Sequence, residues 1–229
     1  HDPGGRGAGR RRAAQPVSPL AIALIRQRYA GDGGAERFVA RMLDTLKDRA
    51  RLTLITREWN PSPGFEVLTC NPFYVGRWWR DRSFARDVCR LVSARRFDLV
   101  QSHERIACCD IYRAGDGLHC EWLKNRARAL GPLARLGVAL NPYHRYLLAA
   151  ERRLFASPRL RAVVCNSRMV RDEIKRHFAL PDEKLHVIYS GVDTTVYRPD
   201  LKRERAAVRA SLGLVSAAPL FLFVGSGFE

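Results

Sequence analysis

The chain comprises 229 residues, 46% hydrophobic and 28% charged, an ordinary globular composition that excludes a wholly disordered polypeptide. Its 40 basic residues against 23 acidic ones leave a formal charge of +17, and 35 of the basic residues are arginine. A planar guanidinium grips phosphate in a fork, so nucleic acid, a membrane surface and a phosphorylated substrate are the partners that this charge admits. The apolar run Leu20–Ile25 ends at Arg26. A membrane span needs about 20 apolar residues and a signal-peptide core about 7–15, so neither is expected there. The Arg10–Arg12 cluster has too short an apolar region behind it for a twin-arginine leader. Cys70, Cys89, Cys108, Cys109, Cys120 and Cys165 show no CxxC spacing and no metal-ligand pairing with the histidines. Most sit in apolar stretches, so reduced, buried thiols in an intracellular protein are expected.

In chain order, residues 1–18 are rich in Gly, Arg and Pro without periodicity and read as a disordered basic leader; the chain begins with His1 rather than Met. Leu20–Ile25 reads as a strand buried on both faces. After the glycine-rich turn Arg28–Gly34, residues Ala35, Phe38, Val39, Met42, Leu43 and Leu46 recur at helical spacing. Leu52–Thr56 and Phe65–Thr69 read as strands, and Asn71–Arg80 as a loop carrying Phe73, Tyr74, Trp78 and Trp79. A helix follows with Phe84, Val88, Leu91 and Val92 on one face, while Arg82, Arg86 and Arg90 recur four apart on the other. Strands are then expected at Asp98–Ser102, Arg161–Cys165 and Leu185–Tyr189, with helices at Asn141–Phe155, at Ser167–Phe178 (capped by Ser167) and at Glu204–Leu212. Leu220–Val224 reads as a last strand before Gly225-Ser226-Gly227. Alternating strands and helices with continuous apolar strands predict an α/β fold with a doubly wound parallel sheet. The final strand, coming after a break at Gly213–Pro219, reads as the opening of a second domain.

In open α/β sheets ligands bind at the carboxyl ends of the strands, which directs attention to three loops. Gly31-Asp32-Gly33-Gly34-Ala35-Glu36-Arg37 is neither a GxGxxG fingerprint nor a Walker loop. Its adjacent glycines at a helix start let a phosphate approach backbone N–H groups, or form nothing more than a turn. In the second, His103 could orient a sugar hydroxyl or act as a base, and Asp116 lies between Gly115 and Gly117 where backbone can approach a ligand. A structural histidine and a turn aspartate are the plain alternatives. In the third, Asn166, Ser167 and Arg168 open a helix at the end of a strand whose neighbour ends near Tyr189, with a plain helix cap the alternative for Asn166 and Ser167. The aromatic and arginine segment Phe73–Arg90 fits a nucleic-acid or lipid surface, or a solvated face of an amphipathic helix.

Taken in order, GGAER, NSRMVRDEI and KLHVIYSGVDTTVYRP resemble glycosyltransferase family 4 with the GT-B architecture, over residues 19–229. DIYRAGDG, AAERRLFASP and LFVGSGFE resemble the lipopolysaccharide core glucosyltransferase I group within it. The resemblance implies two Rossmann-like domains. Residues 19–213 would form the N-terminal acceptor-binding domain, and residues 214–229 a linker and the first strand of an otherwise missing donor-binding domain. It implies retaining transfer of a hexose, glucose in the core group, from a UDP-sugar to an inner-core heptose of a lipid A-linked oligosaccharide. No DxD motif occurs, so no metal and no cofactor beyond the donor are expected. Gly33 and Gly34 would face the donor diphosphate, and Glu36, Arg37, His103, Asn166, Ser167 and Arg168 would touch acceptor or sugar. Asp116 matches the position where many members place a sugar-contacting histidine. It would hold a donor hydroxyl or assist proton loss from the acceptor nucleophile.

Trp78 and Trp79 with Arg82, Arg86 and Arg90 would suit an anionic inner-membrane surface, giving a cytoplasmic protein peripheral to that membrane without specific nucleic-acid binding. The Arg-Lys pair and paired glutamates of the family's donor site are not in this sequence, so the chain alone is expected to be inactive. The alternatives are a family 4 transferase for another lipid or polysaccharide acceptor, and a non-catalytic module that binds anionic glycolipid.

Overall fold

Strands apolar on both faces are shielded from water only when helices cover both sides of the sheet, and parallel strands joined by helical crossovers achieve this. The computed structural model describes residues 19–28, 34–59, 64–215 and 218–223, with backbone alone for 34–38 and 40. The chain divides into two units, residues 1–189 and 190–229.

The first unit holds β1 (Leu20–Ile25), α1 (Gly34–Leu46), β2 (Ala50–Thr56), β3 (Glu66–Thr69), α2 (Gly76–Ala94), β4 (Leu99–Ser102) and β5 (Ile111–Ala114). It continues with α3 (His119–Arg128), α4 (Pro132–Leu140), α5 (Pro142–Phe155), β6 (Ala162–Cys165), α6 (Arg168–Phe178) and β7 (Leu185–Val187). The seven strands form one parallel sheet in the order β3-β2-β1-β4-β5-β6-β7. β1 is the switch point: the chain winds outward to β3 and then returns to place β4 on the other side, with Ile22 paired to both Leu52 and Leu99. Successive side chains of β1 enter different cores, as the pleat requires. Leu24 packs with Val39 and Leu43 of α1 and Leu52 and Leu54 of β2. Ala23 and Ile25 join Phe84 and Val88 of α2, Leu154 of α5 and Val163 of β6. The α/β reading and the parallel sheet therefore hold.

The second unit contains a short 3-10 turn, Pro199–Glu204, and α7 (Arg205–Ser211). There Arg209 is buried and donates to the carbonyls of Val215 and Ala218.

Several elements differ from the sequence reading. Gly76–Arg80, expected as loop, is the first turn of α2, so Trp78 and Trp79 are helical. β5 occupies part of the stretch read as loop; its buried Arg113 breaks the apolar run that marks the other central strands. α3 and α4 lie where no element is expected, and α4 buries none of its residues. Leu220–Phe223 is not in a strand, since among the described residues of the second unit no other strand offers a ladder; Gly225–Gly227 fall outside the described residues. Cys89 of α2 and Cys108 of the β4–β5 connection form a disulfide, with Cα atoms 5.6 Å apart. The expectation of reduced thiols is corrected for this pair, which folding brings together without any spacing signal. Cys109 and Cys165 are buried free thiols, and burial pushes them up to about 12 and about 11.

Arg57, just after β2, anchors the edge of the sheet that carries the binding loops. Only 2% exposed, it donates to Asn71 Oδ1 (2.8 Å), the Pro72 carbonyl (3.1 Å), the Arg80 carbonyl and Ser83 Oγ (3.2 Å). Its guanidinium also lies 4.8 Å from the Tyr74 ring centroid and 5.2 Å from that of Phe84. One fork thus fixes the β3–α2 connection and the first turn of α2. Arg57→Ala strands buried acceptors and opens a void, and should lower unfolding free energy by about 3–5 kcal/mol in urea melts. Arg57→Lys should recover less than half of that, because a single ammonium cannot span the same acceptors.

Candidate functional site

The carboxyl ends of β1, β4, β5 and β6 bring the sequence-derived candidates to one edge of the sheet. β4 ends at Ser102, so His103 begins the loop, held by a bond from its N–H to the Ile25 carbonyl (3.0 Å). The ring is 8% exposed, with Nε2 3.0 Å from Gln101 Nε2. Burial, aided by Arg113 and Arg26, lowers its pKa to about 3. His103 is therefore a neutral imidazole near neutral pH, suited to orienting a hydroxyl through hydrogen bonds.

Asp116 follows β5 on the turn Gly115–Gly117, with its side chain exposed. Gly117 has φ +71°, a left-handed conformation that a Cβ would strain. Asn166, after β6, donates from Nδ2 to the Gly115 carbonyl (2.6 Å), and Arg105 Nη2 donates to the Gly117 carbonyl (3.2 Å). The turn is thus clamped on either side of Asp116. The Arg113 guanidinium acts electrostatically on both His103 and Asp116, and Arg105 also acts on Asp116. An exposed carboxylate set among guanidiniums can accept a hydrogen bond from a sugar hydroxyl while the surrounding positive charge favours an anionic ligand.

Other candidates are placed differently. Ser167 caps α6, its Oγ accepting from the Val170 N–H (3.3 Å), and Arg168 is exposed at the first position of that helix. Gly34 opens α1, which also carries Glu36 and Arg37, whose side chains lie outside the described set, as does Gly33 entirely. Trp78, Trp79, Arg82, Arg86 and Arg90 are exposed along α2, away from the loop cluster in sequence, and Asp87 pairs with Arg86 and Arg90.

Sequence reading missed the cavity beside the switch point. It has a volume of about 150 Å³ and is lined in part by Gln27, Arg80, Asp81, Glu104, Arg105 and Tyr143. A cavity of about 150 Å³ holds one six-membered ring. Asp81 Oδ1 accepts from Arg80 Nε (2.7 Å) and Gln27 Nε2 (3.2 Å), so the wall is a preformed array of donors and acceptors. Glu104 Oε1 accepts from the Gln27 N–H (2.9 Å), and burial raises the Glu104 pKa against the pull of Arg26. Glu151 of α5 holds this arrangement in place: its Oε1 accepts from Arg105 Nε (2.9 Å) and the His119 N–H (2.7 Å). The signal available was positional. Asp81 precedes Phe84 and Val88 at i+3 and i+7, and Glu151 lies between Leu147 and Leu154, so both carboxylates sit on apolar stripes where burial demands a partner.

Because the folded state keeps His103 neutral while an unfolded histidine takes up a proton below about pH 6.5, its contribution is present above that pH. It is lost as pH falls towards about 3. His103→Gln should therefore flatten the acid side of the Tm–pH curve between about pH 6.5 and pH 4; parallel wild-type and variant curves would refute the assignment.

Residues 32–196 match the model of Glycosyltransferase Family 4. A probable transglycosylase of Burkholderia thailandensis is 30% identical over 175 residues, covering 73% of this chain and 44% of the relative. The crystal structure of WaaG, a glycosyltransferase involved in lipopolysaccharide biosynthesis, superposes with a TM-score of 0.68 at 19% identity, covering 84% of this chain and 51% of that one. That likeness shows the fold, the N-terminal domain of a GT-B glycosyltransferase. The chain spans about half the length of these proteins or less. With the parallel sheet, its switch-point cavity and a family match covering most of its length, the chain belongs to glycosyltransferase family 4.

Proposed function

We propose that this chain supplies the acceptor-binding half of a retaining glycosyltransferase that moves a hexose, glucose from UDP-glucose, onto an inner-core heptose of a lipopolysaccharide precursor. The observation that carries the reading is the placement of Asp116. Its turn is joined through Arg105 to the wall of a ring-sized cavity, which supports a sugar in the cavity turning a hydroxyl towards this carboxylate. Family membership supports sugar transfer, and WaaG, the similar solved structure, supports a lipopolysaccharide acceptor. In this reading Asp116 accepts a hydrogen bond from a sugar hydroxyl and supports proton loss from the acceptor nucleophile. Gly33 and Gly34, the latter opening α1, meet the leaving diphosphate in this reading, together with the positive charge of Arg26, Arg105 and Arg113. Glu36, Arg37, Asn166, Ser167 and Arg168 contribute around the sugars, and no metal or cofactor is assigned a part.

We further propose that the protein works at the cytoplasmic face of the inner membrane. The exposed indoles of Trp78 and Trp79 and the arginines of α2 support that reading. Among the described residues no helix is long and apolar enough to cross a membrane.

The test is UDP release from UDP-glucose by the longest polypeptide that contains these 229 residues, with and without a heptose-bearing lipid A core acceptor. Acceptor-dependent release is expected, and Asp116→Ala should reduce it by about 100-fold or more with the fold intact by circular dichroism. Release that ignores the acceptor, or that survives Asp116→Ala, would overturn the reading.

A further inference from the structure

A second concavity adjoins the cavity and differs from it in charge. The cavity wall is balanced, Arg80 and Arg105 facing Asp81 and Glu104. The neighbouring groove, about 550 Å³, is lined by Arg77 and Trp78 of α2, Trp122 and Arg126 of α3, and Tyr143 and His144 of α5, with no carboxylate among its lining residues. Tyr143 lines both, so the two spaces lie on either side of one residue. Neither Arg77 nor Arg126 has an ion-pair partner among the described residues, and what sets them apart from the other unpaired arginines is that both line one concavity.

The groove is also rigidly built. The Arg126 guanidinium lies 5.1 Å from the Trp122 ring centroid. His119 stacks on the other partner of that set, its ring 5.4 Å from Trp122, and its Nε2 is 3.0 Å from His144 Nδ1. Two uncompensated guanidiniums attract a compact anion. The exposed parts of the Trp78 and Trp122 indoles offer apolar surface to the C–H side of a sugar ring.

We propose that this groove is a binding site for the phosphoryl group of a phosphorylated saccharide, the unit next to the sugar held in the cavity. The inference rests on the reading of the cavity as an acceptor site and adds that the acceptor carries a phosphate on an adjoining residue. Arg77 and Arg126 hold the phosphate, Trp78 and Trp122 flank the ring, and Tyr143 separates the two subsites. A phosphorylated lipid headgroup presents the same anion without the ring, so the two sources are separable by experiment.

The test titrates the 229-residue chain with glucose 6-phosphate, glucose, glycerol 3-phosphate and inorganic phosphate, following the indole N–H resonances of its four tryptophans. Glucose 6-phosphate should shift Trp78 and Trp122 and leave Trp59 in place, and should bind at least five-fold more tightly than the other three. Arg77→Gln and Arg126→Gln should each weaken it five-fold or more with the Trp59 resonance unchanged, whereas Arg161→Gln should not. Glycerol 3-phosphate binding as tightly as glucose 6-phosphate, or Arg161→Gln weakening binding as much as Arg126→Gln, would overturn the proposal in favour of a lipid headgroup or diffuse charge. No donor or turnover enters this measurement. Failure of sugar transfer and failure of the groove are therefore distinguishable.

Discussion

The buried ion pair between Arg105 and Glu151 is the interaction through which the candidate site is assembled. Glu151 on α5 is 2% exposed, and one of its oxygens takes bonds from both Arg105 Nε and the first N–H of α3. Arg105 spends another N–H on the Gly117 carbonyl. A single carboxylate therefore connects α5, the start of α3, the β4–β5 connection and the turn that bears Asp116. Such a pair contributes little net stability compared with apolar packing of the same volume, yet losing one partner leaves a buried charge at a cost of about 3–5 kcal/mol. Its effect is on arrangement: it ties the positions of elements far apart in sequence to one another.

The large positive charge of the chain separates into unlike parts once folded. Arg57, Arg113 and Arg209 are buried and serve the structure by filling carbonyl and side-chain acceptors or by setting the field around Asp116. Others, such as Arg86 and Arg95, are exposed and paired with carboxylates, where an ion pair adds little. Two arginines without a carboxylate partner among the described residues, Arg77 and Arg126, line the groove between α2, α3 and α5.

α2 joins these features. Its first turn is gripped by Arg57, it supplies Arg80 and Asp81 to the cavity and Arg77 and Trp78 to the groove, and its middle is fastened to the β4–β5 connection through Cys89–Cys108. Its inner stripe of Phe84, Val88 and Val92 packs on the sheet. Packing, hydrogen bonding and a covalent link thus set one wall of both spaces, and motion of that wall relative to the β4 loop is restrained.

Hydrophobic periodicity and glycine placement are local properties, so the α/β class, the strand–helix alternation and the loops at the strand ends are legible along the chain. Leu20–Ile25 and Asn166-Ser167 were legible for that reason, the former as an apolar run and the latter as a cap. β5 was not, since Arg113 interrupts its apolar pattern and is tolerated only because tertiary neighbours surround it. Nor was the pairing of Cys89 with Cys108, nor the cavity built from Gln27, Asp81, Glu104 and Tyr143. Those depend on side chains from β1, α2, β4 and α5 meeting at a switch point. No local pattern encodes such a meeting, because it follows from the order in which the strands assemble and from burial that forces each polar group to find a partner.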